Sequence, residues 1–394
     1  MSELKILLSS LILMLMSLEN YGDARYIPII IMLSVLLILS FPVYISKNIA
    51  AKTMVLLCII SLLTIADYFN FLSFRSNLEN YSPSSFFLSF SFKVILITIF
   101  IICVNETSVN VIKVIKAVLL LHCTVFFIQF FGVYATGHYL DFLSFYTGEA
   151  QRYVSGVSVP FIGNIYRPTG FFNEPSTYTA YVMLLLLSLV VVRYKSELNF
   201  TKNDIKYIFI VCLTSILTFS VAALIYVSLF LLVFFFHKRY KAIFVGIAFA
   251  LILLSPLLFV FYQERAGYLE GNSTSIRSNL IYLINSREWL EIFFGSGPSG
   301  MPDTLASYLN TENYSWASNG LAAPSDNGTL FFIYIKYGVI GTILFLLFVI
   351  KYMPNKKAIL LSLILFLAKA KYSSFIFLFL MIITFFKLRK ENNA

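Results

Sequence analysis

Residues 111–133 read VIKVIKAVLLLHCTVFFIQFFGV, with two lysines among the first six positions and then seventeen residues without a formal charge. A helix rising 1.5 Å per residue needs roughly 20 such residues to cross the hydrocarbon core of a bilayer. The apolar residues run all round this helix, as expected where lipid or protein, and not water, surrounds it. Lys113 and Lys116 stand at one end only, and basic residues concentrate on the cytoplasmic side of membrane segments.

The same reading repeats on both sides of this stretch. Apolar spans are expected at 4–18, 27–45, 53–65, 86–104, 178–192, 205–219, 221–236, 242–262, 329–350, 358–367 and 373–386. With 111–133 they make about twelve transmembrane helices in an all-α polytopic membrane protein. The first span lacks a small-residue cleavage site and another follows almost at once, so it reads as a helix and not as a signal peptide. Of 394 residues 59% are hydrophobic and 12% charged, with a mean hydropathy of +0.85. A water-soluble protein of this size carries far more charge. The spans and loops leave no length for a second soluble domain, so 1–394 is expected to be one transmembrane domain.

Charge orients the set. With the N-terminus inside, the inner segments hold 18 of the 29 basic residues, spread over every predicted inner loop, and both termini lie in the cytoplasm. The net charge of +10 is therefore a topology signal and not a nucleic-acid surface. Cys58, Cys103, Cys123 and Cys212 all fall in apolar spans with neither zinc-ligand nor disulfide spacing, and read as small buried hydrophobes.

Two long loops fall outside, 138–177 and 263–328. In the second, residues 278–294 place Leu280, Leu283, Ile284, Trp289, Leu290 and Phe293 at helical intervals, so a helix on the membrane boundary is expected there. Seven of the ten arginines, Arg25, Arg75, Arg152, Arg167, Arg265, Arg277 and Arg287, lie outside against the prevailing bias. Each alone could pair with a neighbouring acid. As a set they suit a phosphate-bearing ligand, because the guanidinium fork binds phosphate bidentately.

The densest outer segment is Arg167-Pro168-Thr169-Gly170-Phe171-Phe172-Asn173-Glu174-Pro175-Ser176. Pro175 suits a first helical position, which makes Glu174 the N-cap. Glu174 then reads either as a capping carboxylate or as a base at the membrane surface, and Asp326 before the span at 329–350 carries the same two readings. Trp289, Trp316 and Tyr314 fit an interfacial aromatic belt or stacking on sugar rings. Gly295, Gly297 and Gly300 read as a turn, since no Lys-Ser/Thr follows them to make a nucleotide loop. Lys336, inside a span, reads as functional or as snorkelling outward. No Asp-x-Asp occurs, and His122, His138 and His237 fall in a span, an outer loop and an inner loop. A shared metal site is therefore not expected.

These residues resemble a known family. The Arg-x-Thr-Gly-Phe-Phe-x-Glu-Pro-Ser stretch, a second large outer loop with arginines and Gly-Ser-Gly, and Asp-Asn before a helix with Tyr337-Gly338-Val339-Ile340-Gly341 are similar to the Wzy-type O-antigen polymerases of the O-antigen ligase/polymerase superfamily. The resemblance implies a GT-C-like glycosyltransferase of the bacterial inner membrane. Its periplasmic reaction would be an inverting transfer of a growing glycan from undecaprenyl diphosphate to a new lipid-linked repeat unit, for lipopolysaccharide biosynthesis, without cofactor or metal. It implies Glu174 and Asp326 as catalytic carboxylates, Arg152, Arg167, Arg265, Arg277 and Arg287 on the diphosphate, and Trp289, Trp316 and Tyr314 on sugars. A chain-length regulator is a further implied partner. Relatives often place an arginine in the turn that here reads Leu217-Thr218-Phe219-Ser220-Val221, and ligases use a histidine near the position of Asp326; this chain has neither. Both departures favour polymerase over ligase, and the long second outer loop argues against a lipid-linked oligosaccharide flippase.

Overall fold

A computed structural model describes residues 2–18, 21–41, 47–68, 83–107, 109–159, 163–235, 287–298 and 327–386. The chain is mostly helical. Its helices are α1 (Ser2–Ser17), α2 (Tyr26–Ser40), α3 (Lys47–Tyr68), α4 (Pro83–Glu106), α5 (Val111–Thr136), the single turn α6 (Ser144–Thr147), α7 (Pro175–Lys195), α8 (Lys202–Ile216), α9 (Val221–Phe235), α10 (Trp289–Phe294), α11 (Thr329–Tyr352), α12 (Lys356–Leu365) and α13 (Phe375–Ile383). Every predicted span that falls among the described residues is a helix. The span at 242–262 lies outside them, as does the expected boundary helix before Trp289. Among the described residues four helices, α4, α5, α7 and α11, are long and apolar enough to cross a membrane, and α2, α3 and α9 contain shorter apolar stretches.

One element departs from an all-α chain. Strands β1 (Val154–Val159) and β2 (Gly163–Tyr166) form an antiparallel hairpin in the loop at 138–177, the first of the two expected outside, pairing Val154 with Tyr166 and Val159 with Gly163. Three valines within six residues are the only strand signal in Val154–Val159; they do not alternate strictly, and the register shifts between Val154 and Ser158.

Helix α7 is the axis of the bundle. Each residue from Thr177 to Arg193 is buried, with α5, α8, α9, α12 and α13 packed around it. Its core reads Val182-Met183-Leu184-Leu185-Leu186-Leu187, apolar on every side as full enclosure requires. Helix α11 lies at the rim, where Ile340, Ile343, Leu344, Leu347 and Ile350 are exposed, a face suited to lipid.

Several basic helix ends lie close together. Lys116 of α5 and Arg193 of α7 meet the buried Asp204 of α8 at 2.6 and 3.1 Å. Lys195 donates to the Ile383 carbonyl at 3.2 Å and to that of Thr384, and Lys52 lies 5.9 Å from the ring centroids of Tyr352 and Phe385. All these cations are assigned to one side, and they gather at one end of the bundle.

Helix α11 is broken at Gly338, with φ 63° and ψ −164°. Backbone carbonyls beside a break must find donors, because none are available from lipid. The turn after α10 supplies them: Ser296 N donates to the Ile335 carbonyl at 3.1 Å and Gly297 N to that of Lys336 at 2.9 Å. Backbone meets backbone here, so a β-carbon at Gly295 would fall on the Lys336 peptide and one at Gly338 on the Phe293 carbonyl. Both glycines also have positive φ. Gly148 has φ +73° but open space around it. Gly295→Ala and Gly338→Ala are therefore expected to abolish a stable fold or cost well over 2 kcal/mol, against about 1 kcal/mol for Gly148→Ala. Thermal unfolding of the three purified variants checks this; equal losses would contradict the backbone docking.

Candidate active site

The first outer loop is built on one face of α5. Residues His122, Phe126 and Gln129 recur at helical spacing there. Gln129 is fully buried. Its Oε1 accepts from Thr169 N at 3.2 Å and Gly170 N at 2.7 Å, while its Nε2 donates to the Leu140 carbonyl at 2.8 Å and to Gln151 Oε1 at 2.9 Å. Gln151 in turn donates from Nε2 to the carbonyls of Gly170 and Phe172, both at 2.8 Å. The His122 ring stacks on Phe172 at 5.5 Å, and Phe126 packs on Tyr178 at 4.9 Å. Two amides and the His122 ring thus hold the Thr169–Phe172 segment in one place.

That anchoring positions the charges that follow. Arg152 N donates to the Asn173 carbonyl at 2.8 Å and Arg167 N to that of Tyr153 at 2.6 Å. Glu174 is the N-cap residue of α7, with φ −134° and ψ 148°, but its side chain makes no capping bond. Of the two sequence readings of this carboxylate, the N-cap position holds but the capping bond is not made, because two cations take the oxygens that would accept from the N–H groups of the first turn. Arg152 Nη1 lies 2.6 Å from Oε1 and Lys369 Nζ 2.7 Å from Oε2, while Ser176 Oγ donates to Oε2 at 3.3 Å. Burial pushes the Glu174 carboxyl up, but the adjacent Lys369 ammonium, the Arg152 guanidinium and the Ser176 hydroxyl outweigh it and hold the group below its ordinary value. Glu174 is therefore an ionised carboxylate at neutral pH, able to accept a hydrogen bond or a proton.

Lys369 was not singled out in the sequence. It comes from the turn between α12 and α13, which the expected topology assigns to the outside, and two lysines there against the bias that gathers lysines inside were the available signal. The same turn receives the start of α11, since Thr329 N donates to the Ala368 carbonyl at 3.1 Å. Gln129 also escaped notice, although a glutamine within an apolar span is costly enough to ask for a reason.

The remaining candidates are dispersed. Arg167 is buried, and its Nε donates at 3.3 Å to the Thr218 carbonyl. It thus reaches the turn between α8 and α9, the one that carries no arginine of its own. Glu174 pairs with Arg152 and Lys369, and Arg167 is not among its partners. Arg287 is buried beside the broken helix, donating to the Ile335 carbonyl at 3.4 Å with its guanidinium 4.8 Å from the Tyr334 ring. Trp289 begins α10 and is 67% exposed, as a ring awaiting a partner or an interface would be. Lys336 is buried and 5.7 Å from the Phe332 ring, so it does not snorkel to the surface. Arg265, Arg277, Tyr314, Trp316 and Asp326 lie outside the described residues.

Comparisons with protein-family models, curated proteins and solved structures return no match to this chain.

The lowered carboxyl of Glu174 has a stability consequence. A group depressed by folding stabilises the fold above its ordinary range and loses that effect as pH falls through the lowered value. Glu174→Gln is expected to cost about 1 kcal/mol near pH 7, allowing for the half-exposed Arg152. The gap to the unsubstituted protein should close on acidification below the ordinary carboxyl range. Thermal unfolding of both proteins across pH measures it, and a gap that did not change with pH would show that Glu174 is not held ionised.

Proposed function

We propose that this chain is an oligosaccharide repeat-unit polymerase, a membrane glycosyltransferase that takes its donor from a polyprenyl diphosphate. The observation that carries the reading is Glu174: a carboxylate at the N-terminal end of the axial helix, making no capping bond, set between two cations within the segment that resembles the O-antigen polymerases. In the reaction an acceptor-sugar hydroxyl oxygen attacks the anomeric carbon of the donor glycan. A new C–O bond forms on the face opposite the departing diphosphate, so the configuration inverts. The bond from that carbon to the phosphate oxygen breaks and its electron pair leaves with the lipid diphosphate. Glu174 receives the hydroxyl proton. Diphosphate is already a good leaving group, so cationic stabilisation of its charge outweighs general-acid help. Arg152 and Arg167 are assigned to that task, with Arg265, Arg277 and Arg287 from the second loop.

The proposal includes the twelve-span topology, a GT-C-like arrangement, a bacterial inner-membrane location with both termini cytoplasmic, and a periplasmic site. The substrates are undecaprenyl-diphosphate-linked oligosaccharides, with a chain-length regulator as partner. Arginine supplies positive charge where other transferases use a metal, so polymerisation should persist in EDTA without nucleotide.

Purified protein in nanodiscs, given lipid-linked repeat units, tests the reading. Glu174→Asn should lose at least a hundredfold in rate, as much as Glu174→Ala, since removing a group that takes a proton in the transition state costs about 10²–10⁴-fold. Cells carrying either variant should display single repeat units. Long chains from Glu174→Asn would remove the carboxylate from the chemistry and leave Asp326 to take its place.

A further inference from the structure

Glu174 is held by two cations that differ in one respect. Lys369 is largely enclosed, with 18% of its side chain exposed, whereas Arg152 is 55% exposed. The two are also anchored differently. Lys369 belongs to the turn that receives the start of α11 through the Thr329–Ala368 and Leu330–Phe366 bonds. Arg152 precedes β1 in the outer loop, fixed by its own backbone N–H to Asn173, so its side chain can swing while its backbone stays in place. An anion arriving from outside meets Arg152 first.

We propose that Arg152 is a shared cation: it covers Oε1 of Glu174 at rest and passes to an incoming diphosphate, while Lys369 is a positioning residue that keeps the uncovered carboxylate in place. This rests on the diphosphate-transfer reading and adds an order of events to it. A diphosphate offers more charge and a better bidentate match to the guanidinium than one carboxylate oxygen does. Once Arg152 leaves, Oε1 is open to the acceptor hydroxyl, and Oε2 remains on Lys369 and Ser176. An empty site thus keeps its base covered, and donor binding exposes it. The transferred arginine also ends on the phosphate from which the glycan departs, where negative charge grows in the transition state.

The test is a mutant cycle on binding of inorganic pyrophosphate to the purified full-length protein in nanodiscs, followed by calorimetry. Arg152→Gln should weaken binding. Glu174→Gln should tighten it about fivefold, because the carboxylate no longer competes for the guanidinium, and this gain should vanish in the Arg152→Gln background. A gain that persisted there would be bulk charge relief and would overturn the shared cation. Lys369→Met should weaken binding, since Glu174 then rests on Arg152 alone. Adding Glu174→Gln should recover affinity, and Lys369→Arg should keep it, neither of which a misfolded variant would do. A polyprenyl diphosphate that binds more tightly than pyrophosphate with the same pattern places the anion on a lipid; equal affinity places it on a free diphosphate. Unchanged pyrophosphate affinity in Glu174→Gln, or no binding to the unsubstituted protein at millimolar concentration, would overturn the proposal. The expected cycle in a protein that makes no polymer would instead leave the shared cation standing and remove the polymerase reading.

Discussion

Gln129 and Gln151 sit back to back beneath the first outer loop, one on a long apolar helix and the other on the loop itself. Neither amide can be left without partners in such surroundings, where an unmade hydrogen bond costs several kcal/mol. Each therefore dictates where backbone must lie. Together they engage both sides of the Thr169–Phe172 turn, its N–H groups through Gln129 and its carbonyls through Gln151. The chain leaves that turn with Asn173 bonded to Arg152 and enters α7 at Pro175, so the position of Glu174 follows from the glutamine pair. The site is in this sense a by-product of satisfying two buried amides.

A second constraint of the same kind shapes the other side of the molecule. Breaking α11 at Gly338 exposes carbonyls that only protein can satisfy, and the Gly295–Gly297 turn does so by close backbone approach. The first half of α11 is then tied to the α12–α13 turn that carries Lys369. Through Lys369 the broken helix and the first outer loop, far apart in sequence, share one carboxylate. Movement of either element would be felt at Glu174.

The helices were legible because their signal is long: some twenty apolar residues with basic ends. The basic ends gave no partners: that Lys116 and Arg193 meet Asp204, and that Lys195 and Lys52 reach the end of α13, came from the structure alone. The short β1–β2 hairpin was not legible, since three valines in six residues without strict alternation carry little weight in a chain this apolar. Within the site, Glu174 and Arg152 were found by charge and by the company of glycine and aromatics. Their pairing with Lys369 was not, because nothing local in Ala368-Lys369-Ala370-Lys371 names a partner nearly two hundred residues away. Arg167 shows the same limit: the sequence sets it seven positions before the carboxylate, and the structure has its Nε on the Thr218 carbonyl.

Everything proposed here depends on Glu174 and Lys369 facing each other on the outer side of the membrane. The most direct measurement is a Glu174→Cys, Lys369→Cys chain with the four native cysteines replaced by alanine, treated in spheroplasts with a short, charged, membrane-impermeant bifunctional thiol reagent. A cleavage site inserted in the inner loop between α9 and the following span reports the cross-link as two fragments that stay joined. The account predicts joined fragments from reagent added outside. Fragments that separate, or that stay joined only when inverted vesicles are treated, would contradict it.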